Sequence, residues 1–390
     1  MDAGFDSAER GVATADPGPR TFGVEEEFLL LDTRTGENLP VADDVLARLT
    51  GPALEQSRHE FRQSMVEMAT PVCTDLTRLR DHLASARAAV AAAGASSGAR
   101  LVAIGATPVR EAAIDRPAAA RYERIIERFG PVALDPALCG CHVHVGVPDR
   151  ELAVQVCNHL RPWLPVIQAI AANSPFHLGR DTGYASWRSI QMERWPSLGP
   201  SPYFASAAEY DRTVQQLITA GVMLDVGMVL WYARPSARYP TVEVRVADVA
   251  PTVEDAVVVA GLVRALVTTV IDDIRTGLPA PRLRGAGLTA AHWRAARDGL
   301  EGRLLDPATG QLRPAWDLVD ELLRYVSPAL NRDGDLQTVD AGMARLRTEG
   351  SGAERQRRIH RRSGDIQDVL RYLAGQTTGD ESASDLVYQS

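Results

Sequence analysis

The stretch Gly23-Val24-Glu25-Glu26-Glu27-Phe28-Leu29-Leu30-Leu31 sets three consecutive acids in an otherwise apolar run. Thr21 to Asp32 reads as a strand, and side chains alternate across a strand. Glu25 and Glu27 therefore share one face, and Val24, Glu26 and Phe28 share the other. Two carboxylates at adjacent same-face positions repel each other. A strand tolerates them where it is solvated or where cations lie between them. An exposed acidic edge explains the pair about as well as a site does. The flanking apolar residues favour a buried strand.

Three more segments repeat the theme of polar groups on one strand face. In Ser64-Met65-Val66-Glu67-Met68-Ala69-Thr70-Pro71, Glu67 is the only charge in an apolar run. A lone acid there is either paired or bound to a metal. Glu60 lies seven residues earlier, and Arg62 between them can pair with either. In Cys139-Gly140-Cys141-His142-Val143-His144-Val145-Gly146, alternation separates the cysteines from the histidines. A closed four-ligand zinc site is thereby disfavoured. Cys139 and Cys141 read as core, and His142 and His144 share the polar face. In Thr241-Val242-Glu243-Val244-Arg245-Val246-Ala247-Asp248, Thr241, Glu243 and Arg245 fall together, opposite three valines. A solvated outer sheet face is the bland explanation. Carboxylates, histidines and arginine recurring on several strands look instead like metal and phosphate chemistry. Finally, Asn173 to Pro202 is rich in Gly, Pro, aromatics and arginine, including Arg188, Arg194 and Trp195. A loop of this length in a compact domain is usually functional, and arginines with aromatics can clamp an anion and cover a ring.

Composition bounds the rest. The chain has 390 residues, 45% hydrophobic and 24% charged, as expected of a soluble globular protein. A net charge of −8 argues against a nucleic-acid partner. No apolar run reaches the ~20 residues of a membrane span, and the acid-containing first twenty residues lack a signal peptide's apolar core. A cytoplasmic location is the expectation. All 42 basic residues are arginine, so no Walker or Schiff-base lysine is available. Any phosphate must be held by arginine, metal ions or backbone amides. No G-x-G-x-x-G follows a strand, and Cys73, Cys139, Cys141 and Cys157 form no secreted framework. Helices are predicted over Leu76–Ala93 with Asp75 as cap, Leu152–Ala172 broken at Pro162 or Pro165, Ala207–Asp225, Val253–Arg275, His292–Leu304, Trp316–Leu330 and Arg355–Leu373. Met228–Tyr232 is predicted as a strand. The class is α+β: an antiparallel sheet with helices on one face and a helical C-terminal third. Residues 1–20 and 375–390 are expected to be disordered tails flanking a single catalytic domain, 21–374.

Taken together, these motifs resemble the bacterial type 2 glutamate–cysteine ligases, also called YbdK-type carboxylate–amine ligases, from about Thr21 to Leu373. The resemblance implies a glutamine-synthetase-like fold, with a curved antiparallel sheet forming an active-site funnel and helices outside. It implies ATP with Mg2+, or Mn2+ as the alternative, small-molecule substrates and a homodimer. ATP would phosphorylate a carboxylate, typically the γ-carboxylate of glutamate, and an amine would displace phosphate from the acyl phosphate. By motif position, Glu25, Glu27, Glu60, Glu67, His142 and Glu243 match metal ligands. Arg245 matches the arginine that neutralises the transferring phosphoryl group, and Arg188 a substrate-carboxylate or phosphate arginine, with Glu67 also in the catalytic set. His177 stands where the family loop carries a bulky aromatic. The competing functions are a zinc hydrolase using His142 and His144, and a specialised-metabolite γ-glutamyl ligase acting on an amine other than cysteine.

Overall fold

The computed structural model describes residues 18–111 and 120–380. Its strands are β1 (Phe22–Asp32), β2 (Ser57–His59), β3 (Met65–Ala69), β4 (Ala99–Val102), β5 (Gly140–Gly146), β6 (Phe176–His177), β7 (Arg180–Asp181), β8 (Ala233–Pro235), β9 (Thr241–Asp248), β10 (Arg303–Leu305) and β11 (Leu312–Pro314). The helices are α1 (Ala42–Leu46), α2 (Gly51–Gln56), α3 (Leu76–Ala95), α4 (Ala120–Phe129), α5 (Arg150–Leu160), α6 (Leu164–Ile170), α7 (Trp187–Met192), α8 (Ala207–Thr219), α9 (Val253–Arg275), α10 (Gly285–Asp298), α11 (Ala315–Asp333), α12 (Leu336–Glu349), α13 (Gly352–Ser363) and α14 (Ile366–Thr378).

The main sheet runs β2-β3-β1-β5-β9-β8, with β4 pairing β1 off that path. Every pairing in it is antiparallel. The expected funnel is not there. Among the described residues no sheet curls or closes on itself: the path ends at β2 and β8, which do not pair. Each of these edge strands is three residues long and β8 ends on Pro235, so neither offers a ladder long enough to close against the other. The concavity over the sheet is made by other segments, described below.

One sheet face is packed by helices. Val24, Cys141, Val143, Val145, Val242, Val244 and Val246 join α5 and α9 in one apolar core. Helix α9 is buried along nearly its whole length, as a helix apolar on all sides must be. Thr252 caps it by accepting from Asp255 N at 3.0 Å. Asp75 likewise caps α3, accepting from Arg78 N at 2.8 Å, as the sequence predicts. The predicted helix from Leu152 is broken as Pro162 and Pro165 require, into α5 and α6. The predicted Arg355–Leu373 helix is also two, divided at Gly364, whose φ of 70° suits glycine. The expected strand over Met228–Tyr232 is not formed: Met228 ends a 3-10 turn, Trp231 makes only an isolated bridge to Gly199, and the strand begins at Ala233.

At the ends, Arg20 Nη1 donates to Gly146 O at 3.2 Å, tying the segment before β1 to β5. Helix α14 continues to Thr378, into the stretch expected to be a tail. Residues 1–17 and 381–390 lie outside the described residues. No described helix is long and apolar enough to cross a membrane.

Candidate active site

The register of the central strands assembles the polar face. Glu27 on β1 stands directly opposite Glu67 on β3. Glu25 stands opposite His142 on β5. His144 stands opposite Glu243 on β9, and Glu243 opposite Arg234 on β8. Glu26 points the other way. It is fully buried against Arg87 of α3, which donates from Nε at 3.0 Å and Nη2 at 2.5 Å. The alternation read from the sequence therefore holds across β1.

Two ligand-like groups form on this face. Glu25, His144 and Glu243 each offer an atom within 4.8 Å of the others, and so do Glu27, Glu60 and Glu67. His142 lies between the two groups. Its Nδ1 is 3.4 Å from Arg245 Nη1 and 3.5 Å from Glu25 Oε2, and its Nε2 is 3.9 Å from Glu27 Oε1. Thus the structure brings Glu25, Glu27, Glu60, Glu67, His142, Glu243 and Arg245 to one face, and groups His144 rather than His142 with Glu25 and Glu243. The cysteines stay on the core face: Cys139 and Cys141 are buried in apolar surroundings.

The electrostatics divide the carboxylates into two kinds. Burial acts to raise Glu25, but the imidazoles of His142 and His144 beside it prevail and hold it well below the usual range. Burial likewise opposes ionisation of Glu243, and the adjacent Arg245 and Arg234 outweigh it. Arg234 grips Glu243 in a two-point fork at 2.9 and 3.2 Å, and Arg245 Nη1 also donates to it. Glu60 and Glu67 have no such partners. Loss of water in the concavity, then repulsion from Glu27, pushes Glu60 up to about 8. Loss of water, then Glu60, Glu25 and Glu27, pushes Glu67 up to about 9. Like charges crowded this closely cannot all ionise without a counter-ion.

Above this face lies a cavity of 230 Å³. Its floor is Glu27, His142 and Arg245; its walls come from α4, the 132–138 segment, α7 and the turn after Val226. The wall contributes Phe61, Tyr122, Ile125, Leu138, Trp195 and Met228, so one half is apolar and the other charged. The long loop carries α7, and α7 brings Arg188 to the cavity, where Nη2 lies 3.5 Å from Arg245 O on the sheet.

Sequence reasoning left Asp248 without a role. By alternation it belongs to the valine face of β9, and it is buried. It accepts from Asn173 N at 2.9 Å, Ser174 Oγ at 2.7 Å and Ser186 Oγ at 2.8 Å, pinning the start of the loop and the residue that caps α7, the helix that carries Arg188. Arg188 Nη1 lies 3.8 Å from its Oδ1. Gly105 must be glycine for this: a Cβ there would stand 2.7 Å from the Asp248 carboxyl carbon. A lone acid ending a row of valines was the available signal. Arg234 gave none, because a three-residue strand shows no periodicity.

The profile of the glutamate–cysteine ligase family 2 matches residues 21–379. A protein of Salinispora arenicola whose name proposes a glutamate–cysteine ligase 2 is 65% identical over 92% of this chain and 95% of its own. One of Saccharopolyspora erythraea, similarly named 2-1, is 46% identical over 93% and 96%. Among solved structures, glutamate–cysteine ligase from Francisella tularensis in complex with AMP superposes with a TM-score of 0.67 at 14% identity, over 95% of this chain and 93% of that one. A bifunctional glutathione synthetase from Pasteurella multocida gives a TM-score of 0.66 at 15% identity, over 94% and 53%. At such identity these two speak for the fold alone. A family match across nearly all of the described fold, with relatives this similar end to end, means that the chain belongs to glutamate–cysteine ligase family 2, and is an ATP-dependent carboxylate–amine ligase.

Proposed function

We propose that the enzyme joins the γ-carboxylate of glutamate to an amine, and that the polar sheet face holds the ATP phosphates through divalent cations. The carrying observation is the pair of ligand groups, Glu25/His144/Glu243 and Glu27/Glu60/Glu67, on one sheet face, with Glu27 and Glu60 of the second group also lining the cavity. The donors fit hard cations. All are oxygen or imidazole nitrogen, as suits Mg2+ or Mn2+, with no thiolate among them. The Nε2 atoms of His142 and His144 are buried with no hydrogen-bond partner in the protein, and at Glu60 and Glu67 burial and crowding by neighbouring carboxylates outweigh the pull of Arg245. Bound cations would supply charge neutralisation for the phosphate oxygens.

The protein's own groups do the rest. Arg245, anchored on Glu243 and facing His142, neutralises charge on the transferring phosphoryl group. Arg188 reaches the same cavity and meets a phosphate or substrate carboxylate in a lysine-free chain. The apolar wall, with Phe61, Tyr122 and Trp195, offers a nucleobase a surface to pack on. The γ-phosphoryl group passes to a carboxylate oxygen and ADP leaves. The amine nitrogen then attacks the acyl carbon, the C–O bond to phosphate breaks, and the amide forms as the amine loses a proton. Acyl phosphates hydrolyse in water, so the walls from α4 and the α7 loop serve to exclude it.

The test is a screen. Full-length protein is mixed with ATP, Mg2+, glutamate and a panel of amines that includes cysteine, reading ADP by coupled assay and amides by mass. ADP release that depends on both glutamate and one amine, with the matching γ-glutamyl amide, is expected. ADP that appears only with a different carboxylate would overturn the glutamate assignment. Cysteine failing where another amine succeeds would mark a specialised γ-glutamyl ligase.

A further inference from the structure

His142 and His144 lie two residues apart on one strand face, yet their rings are held by different groups. Arg245 Nη1 lies 3.4 Å from His142 Nδ1, which is also 3.5 Å from Glu25 Oε2. His144 is held by a hydroxyl instead. Its Nδ1 lies 3.0 Å from Thr241 Oγ1, and its Nε2 lies 3.4 Å from Glu25 Oε1.

The location of that hydroxyl is set by the sheet. Thr241 opens β9 and stands opposite Gly146, two residues before Glu243 and therefore on the same face. The ring plane of His144 is set separately, by the Tyr239 ring standing edge-on at 5.9 Å and 88°. A hydroxyl can both donate and accept. When Nε2 faces only Glu25, the Thr241 hydroxyl can donate to Nδ1. When Nε2 binds a cation, its lone pair is taken and the proton must sit on Nδ1, where Thr241 Oγ1 accepts it.

We propose that Thr241 is a positioning residue for cation binding: its hydroxyl takes the Nδ1 proton of His144 and so presents Nε2 to a divalent cation shared with Glu25 and Glu243. This rests on the metal reading given above. A partner on the second nitrogen of a metal-bound histidine fixes the tautomer and strengthens the ligand, and its loss commonly costs about 10- to 100-fold in metal affinity. Valine at 241 keeps the branched strand-favouring shape and removes only the hydroxyl. Serine keeps the hydroxyl and removes only a methyl group.

The experiment titrates Mn2+ into full-length protein without ATP or amino acids, reading free ion by electron paramagnetic resonance. Wild type, Thr241→Val, Thr241→Ser and Glu25→Gln are compared, with thermal melts of the metal-free proteins as a check on folding. In wild type two sites are expected. Thr241→Val should weaken one of them about 10- to 100-fold, Thr241→Ser should stay near wild type, and Glu25→Gln should lose that same site. Wild-type affinity in Thr241→Val overturns the role of Thr241 while the metal reading stands. Equal weakening in valine and serine variants also overturns it, since packing rather than the hydroxyl would then matter. Absence of Mn2+ binding in wild type overturns both.

Discussion

The two faces of β1 handle the same residue type in opposite ways. On the helix-packed face, Glu26 is fully buried and answered by a built-in cation: Arg87 grips both its oxygens. Arg87 spends its remaining protons on the carbonyls of Ala250 at 2.9 Å, Pro251 at 3.3 Å and Thr377 at 3.4 Å. On the other face, Glu25, Glu27, Glu60, Glu67 and Glu243 are gathered, and among them only Glu243 is gripped by arginine, by Arg234 and Arg245, in the described residues. The core face is electrically finished and the site face is short of positive charge. The contrast separates an acid kept for folding from acids that, on the reading proposed above, are kept for a ligand that brings its own cations.

Breaking the finished side should have the largest effect on stability. Arg87→Ala would leave Glu26 charged, buried and alone, which costs about 3–5 kcal/mol, and chemical denaturation should read it directly. Breaking the open side should hit activity instead. Arg245→Ala should lower kcat by about 100- to 1000-fold with the fold retained, checked by ADP release alongside circular dichroism. Glu67→Gln is expected to reverse the usual sign: it relieves crowding, so the metal-free protein should gain about 1 kcal/mol in a melt while ligase activity falls away. Finally, pH should separate the faces. The folded protein holds Glu60 and Glu67 near 8 and 9, above the ordinary carboxylate value near 4.5. Protons are thus favoured in the folded state, so their contribution is full below about pH 4.5 and is lost as pH rises toward 9. Metal-free protein should melt a few degrees lower at pH 9 than at pH 5.5, and Glu67→Gln should flatten that decline. Glu25 and Glu243, held low, act in the opposite direction and only below the ordinary carboxylate range.

Much of this was legible because a strand has a period of two. That period alone puts Glu25 and Glu27 on one side and Glu26 on the other, and separates the cysteines of β5 from its histidines. What it does not contain is register. Arg87 comes to Glu26 from 61 positions away, across a helix. The division of labour between His142 and His144 depends on how β5 meets β9, where the pairing slips between Cys141 and Val143. Arg245 is thereby offset from a direct cross-strand partner and reaches His142 obliquely. Closure is not local either. The polar strands suggested a sheet curled into a funnel, but whether edges meet depends on the lengths of β2 and β8, and those are too short. The concavity comes from α4 and the α7 loop, and α4 was not among the helices the periodicity marked. Asp248 shows the same limit: its value lies in three loop donors that only folding brings together.

The most direct test of a site face built for cations is diffraction. Crystals of the full-length enzyme grown with Mn2+ and a non-hydrolysable ATP analogue would be measured at the manganese absorption edge. Anomalous peaks are expected at roughly 2.0–2.3 Å from oxygens of Glu27, Glu60 and Glu67, and from Glu25, Glu243 and His144 Nε2, each peak also touching the triphosphate. Nucleotide bound in the cavity with no manganese on these residues, or manganese held by Glu26 or the cysteine face, would contradict it.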